Sequence, residues 1–136
     1  MIKRPLFLFG LLVTTCAAAQ PPTSSLIPLP VRTFPAEGTF TLDASSSIAV
    51  AQAELTDEGE FLRAGLKALL GIDAMLLPTP KNKAIVLSVV QRDSVPGEGY
   101  SLVIGTERID IIGADEAGVF HGITSLLNMM RLGEKA

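Results

Sequence analysis

The segment from Ala84 to Val90 is the sequence feature that most constrains the fold. It reads Ala-Ile-Val-Leu-Ser-Val-Val and is apolar at nearly every position. β-Branched residues favour strands, and a strand that is apolar on both sides is typically buried on both faces of its sheet. The segment therefore predicts a central strand, around which the rest of the chain must be arranged.

A β-hairpin is predicted after this strand, because two short apolar segments flank a turn. The segments are Tyr100 to Ile104 and Arg108 to Ile112, and Gly105-Thr106-Glu107 lies between them. Apolar runs that are separated by a few residues including glycine are typical of hairpins. The hairpin would add two strands to the sheet.

Three weaker strand signals precede the first helix pattern. Leu26 to Arg32 contains Pro28 and Pro30, which confine an extended segment to the edge of a sheet. Gly38 to Leu42 alternates apolar residues with threonines, which predicts a short, half-buried strand. Ser47 to Val50 predicts another short strand.

The first helix pattern follows these signals. Thr56 is a candidate N-cap, and Asp57, Glu58 and Glu60 follow it, where the helix dipole favours negative charge. Gly71 would end the helix. Apolar residues recur at helical spacing between these ends, at Phe61, Leu62, Leu66, Leu69 and Leu70.

A second helix is predicted over roughly 115–132. Asp115 and Glu116 would open it, and Arg131 followed by Gly133 would end it. Its apolar face is wide and comprises Val119, Phe120, Ile123, Leu126, Leu127 and Met130. Strands combined with two such helices predict an α+β two-layer sandwich, with a mixed or antiparallel sheet and both helices on one face.

Length and charge exclude several classes of protein. A chain of 136 residues favours one domain and is too short for a complete (β/α)8 barrel, which needs about 250 residues. The net charge of −3 comes without a cluster of lysines and arginines. Binding to a nucleic-acid backbone is therefore not expected.

The N-terminal residues predict a secretory signal peptide. Lys3 and Arg4 form a basic region, and Leu6 to Val13 is an apolar stretch too short to span a bilayer. Ala17-Ala18-Ala19 then forms a small-residue cleavage site before Gln20. We expect a periplasmic or secreted protein.

The resulting division of the chain is a signal peptide at 1–19, a linker at 20–25 and a folded domain at 26–133. Cys16 leaves open a lipoprotein, which would be the one route to a membrane. Cleavage after Ala19 would instead leave a mature chain without cysteine, because Cys16 is the only one. Thiol chemistry and thiolate metal sites would then be excluded.

The search for catalytic residues yields none. His121 is the only histidine, and it lies in a helix pattern beside Phe120, which favours a packing or surface role. The acidic pairs Asp57-Glu58 and Asp115-Glu116 suggest two-carboxylate chemistry, yet adjacent helix residues point about 100° apart. Their position in first turns is explained by the helix dipole. No catalytic, cofactor-binding or metal-binding residue is therefore predicted, and no cofactor is expected.

Four motifs in order nevertheless resemble a known module. The chain is similar to the N-terminal, non-catalytic α+β domain of bacterial β-N-acetylhexosaminidases of glycoside hydrolase family 20. That domain carries an I-P-x-P stretch, an E-x-Y-x-L strand and a helix reading A-D-x-x-G-x-F-x-G-x-x-T-L. The matching segments are Leu26 to Pro30, Gly38 to Leu42, Glu98 to Leu102 and Ile111 to Leu127. His121 and Ser125 depart from the helix pattern.

The resemblance implies an enzyme family that removes terminal non-reducing N-acetylhexosamine residues. In that family the 2-acetamido group of the substrate acts as nucleophile, and an adjacent Asp and Glu in an H-x-G-G-D-E motif on a catalytic barrel assist it. His121-Gly122 is followed here by Ile123, so neither catalytic role can be assigned. The chain alone is expected to be inactive and to lack the catalytic barrel.

Three functions remain open, and one of them is the same domain type attached to other glycosidases, since a fold alone does not fix function. The chain is expected to be an accessory domain that supports a catalytic barrel in cis or in trans, with glycans bound only through that barrel. The alternative is a free-standing exported carbohydrate- or protein-binding module, which the low number of aromatic residues at exposed-looking positions disfavours. For the second helix, we expect Phe120 and Leu127 to face the sheet, and Met129 and Met130 to reach toward the barrel.

Overall fold

Five strands and two helices form the described part of the chain. The computed structural model describes residues 31–35, 37–90 and 96–133. The elements in chain order are β1 (Ser47–Val50), α1 (Thr56–Leu70), β2 (Met75–Leu77), β3 (Ala84–Val89), β4 (Tyr100–Ile104), β5 (Arg108–Gly113) and α2 (Glu116–Gly133). The predicted signal peptide, the linker and most of the proline-containing segment at 26–32 lie outside the described residues. Val31 and Arg32 are exposed and belong to no strand.

The sheet has the strand order β2-β1-β3-β5-β4 and is mixed, as predicted. β1 pairs in parallel with β2 and β3, and β3 pairs in parallel with β5. β4 is the antiparallel edge strand, and it forms the predicted hairpin with β5. β3 therefore occupies the centre of the sheet, which confirms the prediction from its apolar sequence.

Both helices cover the same face of the sheet. Alternate residues of β3, Ile85 and Leu87, are fully buried and belong to one apolar cluster with residues of both helices. The cluster comprises Ile48, Leu55, Leu62, Leu66, Ala74, Ile85, Leu87, Ile109, Ile111, Val119, Ile123 and Leu126. This arrangement confirms the predicted α+β two-layer sandwich.

Glycines allow α2 to approach the sheet closely. A Cβ atom added at Gly122 would lie 2.5 Å from Cγ2 of Ile111 and 3.2 Å from Cδ2 of Tyr100. A Cβ atom at Gly118 would overlap the backbone carbonyl oxygen of Gly99. The hydroxyl groups of Tyr100 and Ser125 also form a hydrogen bond of 2.7 Å between β4 and α2. The edge strand is thus attached to α2 by close backbone packing and by one side-chain pair.

The strand predicted at Gly38 to Leu42 does not form. Gly38 has a φ of +109° and lies against Thr106 in the β4–β5 turn. A few residues later, Asp43 pairs with Lys83, which immediately precedes β3. The segment therefore crosses the end of the sheet, and Phe40 and Leu42 pack against the apolar cluster without joining a strand. The alternating apolar residues of this segment are therefore buried by packing and not by strand pairing.

Candidate functional site

A cavity of about 430 Å³ lies at the carboxyl ends of β3 and β5. Its lining is formed by Gln52, Glu54, Leu55, Val89, Ala114, Asp115, Glu116 and Ala117. Ligands of open α/β sheets bind beyond the carboxyl ends of parallel strands, so this is the position where a binding site is expected. A ligand bound there would need polar side chains that are not already bonded within the protein.

Two of the polar side chains that line the cavity bind backbone groups of the protein. The side-chain oxygen of Gln52 accepts a hydrogen bond of 2.7 Å from the Val89 N–H, and its amide nitrogen donates to the Val89 carbonyl at 3.3 Å. Asp115 accepts hydrogen bonds from the Glu98 N–H at 2.9 Å and from the Gly118 N–H at 2.7 Å. Gln52 and Asp115 therefore organise the backbone around the cavity.

Asp115 is the N-cap of α2. The hydrogen bonds from the backbone N–H groups of Glu98 and Gly118 lower its pKa, because they stabilise the charged form. An ionised carboxylate with these partners suits capping, whereas a general acid needs a proton to donate. This geometry supports the structural interpretation of the Asp115-Glu116 pair.

The other acidic pair lies in the first turn of α1, as predicted. Asp57 is exposed, and Glu58 is half-buried with one carboxylate oxygen that has no hydrogen-bond partner among the described residues. The prediction of Thr56 as the N-cap is wrong: Thr56 is the first residue of α1 and Leu55 takes the N-cap position, because a short 3-10 helix at Ala53–Leu55 precedes it. Neither Asp57 nor Glu58 lines the cavity.

His121 lies on the surface of α2. Its Nε2 atom is 3.8 Å from a carboxylate oxygen of Glu98, and its ring meets that of Phe120 edge-on at 6.1 Å. Within residues 31–35, 37–90 and 96–133, no group of three or more His, Cys, Asp or Glu side chains could hold a metal ion. In the same ranges, no helix has the length and apolarity needed to cross a membrane.

An exposed aromatic pair is the main surface feature of the two helices. The rings of Phe61 on α1 and Phe120 on α2 lie 5.0 Å apart with an interplanar angle of 38°. The two side chains are 44% and 42% exposed, and Phe34 is 81% exposed. The sequence indicated few aromatic residues at exposed positions, whereas these three are exposed.

Phe120 does not face the sheet, which corrects the prediction. Val119 and Ile123 are fully buried and take that side of α2. Phe120 follows Val119 by one residue, so it points about 100° away around the helix. Leu127, also predicted on the sheet side, packs between the helices, where a Cβ atom on Gly65 would lie 2.6 Å from its Cδ1 atom.

The surface around the aromatic pair is mixed, because Asp57 and Glu116 are exposed one helical turn before Phe61 and Phe120. We use the name helix-pair face for the outward residues Phe61, Ala64, Ala68, Ala117, Phe120 and Thr124, of which all but the half-exposed Thr124 are exposed. Arg63 and Lys67 of α1 instead bind Asp73 beyond the helix, at 2.7 and 3.0 Å. Met130, which was expected to reach toward a barrel, instead packs against the apolar cluster of this domain, whereas Met129 is 37% exposed. The helix-pair face thus has an aromatic centre with an exposed carboxylate one turn before each ring.

Comparison with known proteins gives the family. Residues 23–135 match the family model described as glycosyl hydrolase family 20, domain 2. The chain belongs to glycosyl hydrolase family 20. This match confirms the predicted resemblance to the N-terminal domain of the family's hexosaminidases.

Relatives within family 20 are much longer than this chain. A lacto-N-biosidase of Bifidobacterium bifidum is 30% identical over 98 residues, which are 72% of this chain and 8% of that protein. A beta-hexosaminidase of Porphyromonas gingivalis is 28% identical over 108 residues, which are 78% of this chain and 14% of that protein. The chain therefore spans only a small part of the curated relatives that it matches.

Solved structures of family 20 enzymes share the fold. The β-N-acetylhexosaminidase of Streptomyces coelicolor A3(2) matches with a TM-score of 0.68 and 25% identity, over 74% of this chain and 20% of that chain. An exo-β-N-acetylglucosaminidase of Vibrio harveyi matches with a TM-score of 0.64 and 20% identity, over 75% of this chain and 15% of that chain. The two-layer sandwich is thus one domain of these larger enzymes.

Proposed function

We propose that this chain is an accessory domain of an exported β-N-acetylhexosaminidase and supports a catalytic (β/α)8 barrel in cis or in trans. The complete enzyme would hydrolyse terminal non-reducing N-acetylhexosamine residues. The observation that carries the proposal is the match to one domain of family 20, in a chain that spans 20% or less of its relatives. The barrel would supply the catalytic Asp and Glu and the sugar-binding site.

The internal bonding at the cavity supports an accessory role. Gln52 and Asp115, which line it, are hydrogen-bonded to backbone groups of the domain. The helix-pair face, with its exposed aromatic centre, suits contact with another protein surface instead. Within the described residues, the domain therefore presents a surface suited to packing.

The first test is the activity of the chain by itself. We expect purified chain to show no turnover of a chromogenic N-acetylglucosaminide, because the two acidic pairs lie in helix first turns and Asp115 is a cap. Reproducible turnover that is lost in Asp57→Asn, Glu58→Gln, Asp115→Asn or Glu116→Gln variants would contradict this interpretation. The Streptomyces coelicolor enzyme serves as the positive control.

The second test measures support of a barrel. The matched fifth of the Streptomyces coelicolor enzyme is deleted in one variant and replaced by residues 23–135 of this chain in another. We expect the deletion to lose soluble, active enzyme and the replacement to recover it. A replacement that is no better than the deletion would argue against the accessory role.

A free-standing carbohydrate-binding module is the second candidate, and the exposed Phe61–Phe120 pair is the observation that favours it. Sugar platforms use the open face of an aromatic ring. Here the two rings pack on each other at 38°, so they do not form one flat platform. Glycan-array binding that disappears in a Phe61→Ala variant would favour the binding module over the accessory domain.

A further inference from the structure

We propose that the proline-containing segment at 26–30 pairs with the open edge of β4 and closes that side of the sheet. The occupant is thus a part of this chain outside the described residues, with the sequence Leu-Ile-Pro-Leu-Pro. Its prolines restrict it to a sheet edge, and the geometry of the described residues favours the edge at β4. The pairing lies within the domain, so it is independent of the proposed accessory function.

β4 presents backbone hydrogen-bonding groups along the edge of the sheet. The N–H of Gly105, which directly follows β4, donates to the carbonyl of Arg108 at 2.9 Å. Bonded residues alternate along an antiparallel pair, so the register directs the backbone groups of Ser101 and Val103 to β5. The residues whose N–H and C=O groups point to the other side are Tyr100, Leu102 and Ile104. Within the described residues, no strand lies on that side of β4.

The composition of β4 does not protect this edge from pairing. Edge strands of natural proteins are usually very short, covered, or protected by charged residues and prolines. β4 has five residues, Tyr-Ser-Leu-Val-Ile, without a charge or a proline. The side chains of Val103 and Ile104 are 51% and 39% exposed. Such an edge invites pairing with other chains unless another segment covers it.

The two prolines of the segment leave one of its sides able to form hydrogen bonds. Successive residues of an extended strand point their backbone N–H groups to opposite sides. Pro28 and Pro30 are two residues apart, so both missing N–H groups belong to the same side. Ile27 and Leu29 keep their N–H groups on the other side. The segment is therefore suited to be an outermost strand whose prolines face solvent.

The path of the described chain leads to the end of β4. Gly38 lies against the turn that follows β4, where a Cβ atom on Gly38 would be 2.7 Å from Cγ2 of Thr106. Gly38 follows Pro30 by eight residues, which can span up to about 28 Å. A strand of five residues such as β4 is about 17 Å long. The segment is therefore within reach of the whole edge.

The opposite edge of the sheet is less suited to this segment. β2 has three residues, Met75–Leu77, so its outer side offers fewer backbone partners than that of β4. The chain also continues from β2 toward Pro78 and Pro80, which cannot donate hydrogen bonds. In the strand order, β2 is at the far side of the sheet from the β4–β5 turn that Gly38 contacts.

The test compares three forms of the exported chain, which keeps residues 26–30 if cleavage follows Ala19. Leu29→Pro removes an N–H group on the side that would face β4. Leu26→Pro is the matched control, because position 26 is two residues before Pro28 and a proline there adds to the solvent side. Both variants replace a leucine by proline in the same short segment. Ile27→Pro removes the neighbouring N–H group on the β4 side and serves as a repeat of the test.

The measurement is hydrogen exchange of the β4 amides by NMR. We expect slow exchange at Leu102 and Ile104 in the unmodified chain and in Leu26→Pro. In Leu29→Pro the same two amides should exchange at least about tenfold faster, because their partner strand is lost. The amides of Ser101 and Val103, which bond to β5, should stay protected in every form and show that the sheet is folded.

Three results would overturn the proposal. Fast exchange at Leu102 and Ile104 in the unmodified chain would show that the edge is open. Slow exchange that persists in both Leu29→Pro and Ile27→Pro would show that something else covers it. Slow exchange that depends on the concentration of the chain would assign the edge to a second copy. None of these measurements involves catalysis, so each of them leaves the accessory role unaffected.

Discussion

At the scale of single residues, ion pairing holds the segment that precedes β1. The Nζ atom of Lys83 lies 2.7 Å from a carboxylate oxygen of Asp43, and the other oxygen accepts a hydrogen bond of 2.8 Å from the Ser45 N–H. The Lys83 hydrogen bond, followed by those of Ser45, lowers the pKa of Asp43 far below its ordinary value of 3.8. The charged form of Asp43 is therefore bound more tightly in the folded state than in the unfolded state.

We predict that stability falls on acidification because of this pairing. A lowered folded-state pKa means that the unfolded state takes up more protons as the pH approaches 3.8, so the contribution is complete above that pH and declines below it. The urea midpoint of unfolding should be steady between about pH 7 and pH 5 and should fall below about pH 4. An Asp43→Asn variant should start lower at neutral pH and show a shallower decline. Asp73 and Asp115, whose pKa values are also lowered, account for the remaining slope.

Glu37→Gln is the control for this experiment, because Glu37 is exposed and lies outside the ion pairs. It should follow the unmodified chain across the titration. Identical acid profiles for Asp43→Asn and the unmodified chain would show that the pair with Lys83 does not stabilise the fold.

At the scale of the elements, patterns along one segment were predictable and contacts between segments were not. β3 and the β4–β5 hairpin were predicted because their residues and turn define them locally. β2 was missed, because Met75–Leu77 is too short to show a periodicity and prolines follow it. Likewise, the wide apolar face of α2 did not reveal which side meets the sheet, so Phe120 was placed wrongly.

The candidate site was likewise predictable only where residues close in sequence determine it. The acidic residues at the starts of the helices could be assigned to the helix dipole from position alone, and Asp115 is indeed a cap. The contact between Phe61 and Phe120 could not be predicted, because it depends on how α1 and α2 pack across a separation of 59 residues. The sequence did contain one signal of an exposed apolar surface, because α2 carries more apolar residues than one sheet can cover.

We predict that Gly118→Ala destabilises the domain. The added methyl group would overlap the carbonyl oxygen of Gly99, a backbone atom that cannot rotate away. Overpacking of this kind typically costs about 1–3 kcal/mol. Gly133→Ala, at the last residue of the same helix with open space around it, is the matched control and should be close to neutral. Equal urea midpoints for the two variants would argue against close packing of α2 on the strand ends.

At the scale of the whole molecule, we propose export with cleavage between Ala19 and Gln20. The basic residues Lys3 and Arg4, the apolar stretch and the alanines at 17–19 are the observations behind this proposal. Intact mass of the exported protein should correspond to a chain that begins at Gln20. A mass that corresponds to a lipid-modified Cys16 at the N-terminus would contradict this and identify a lipoprotein.

The connections between elements have a consequence for the order of folding. Three residues join β4 to β5 and two join β5 to α2, so these elements can associate quickly through local contacts. By contrast, β1 must wait for β3, which begins 37 residues after β1 begins, and the burial of β1 in the core also requires α2. Pulse-labelled hydrogen exchange should therefore detect protection of β5 and α2 before β1, and the reverse order would contradict this.

Synthesis on the ribosome follows the opposite order, because β1 is made before β5 and α2. The core residues Ile123 and Leu126 lie in α2, so the apolar cluster stays open until nearly all of the 136 residues have been made. The parallel pairing of β1, β3 and β5 thus delays closure of the sheet until late in synthesis, a timing that would suit the export proposed above.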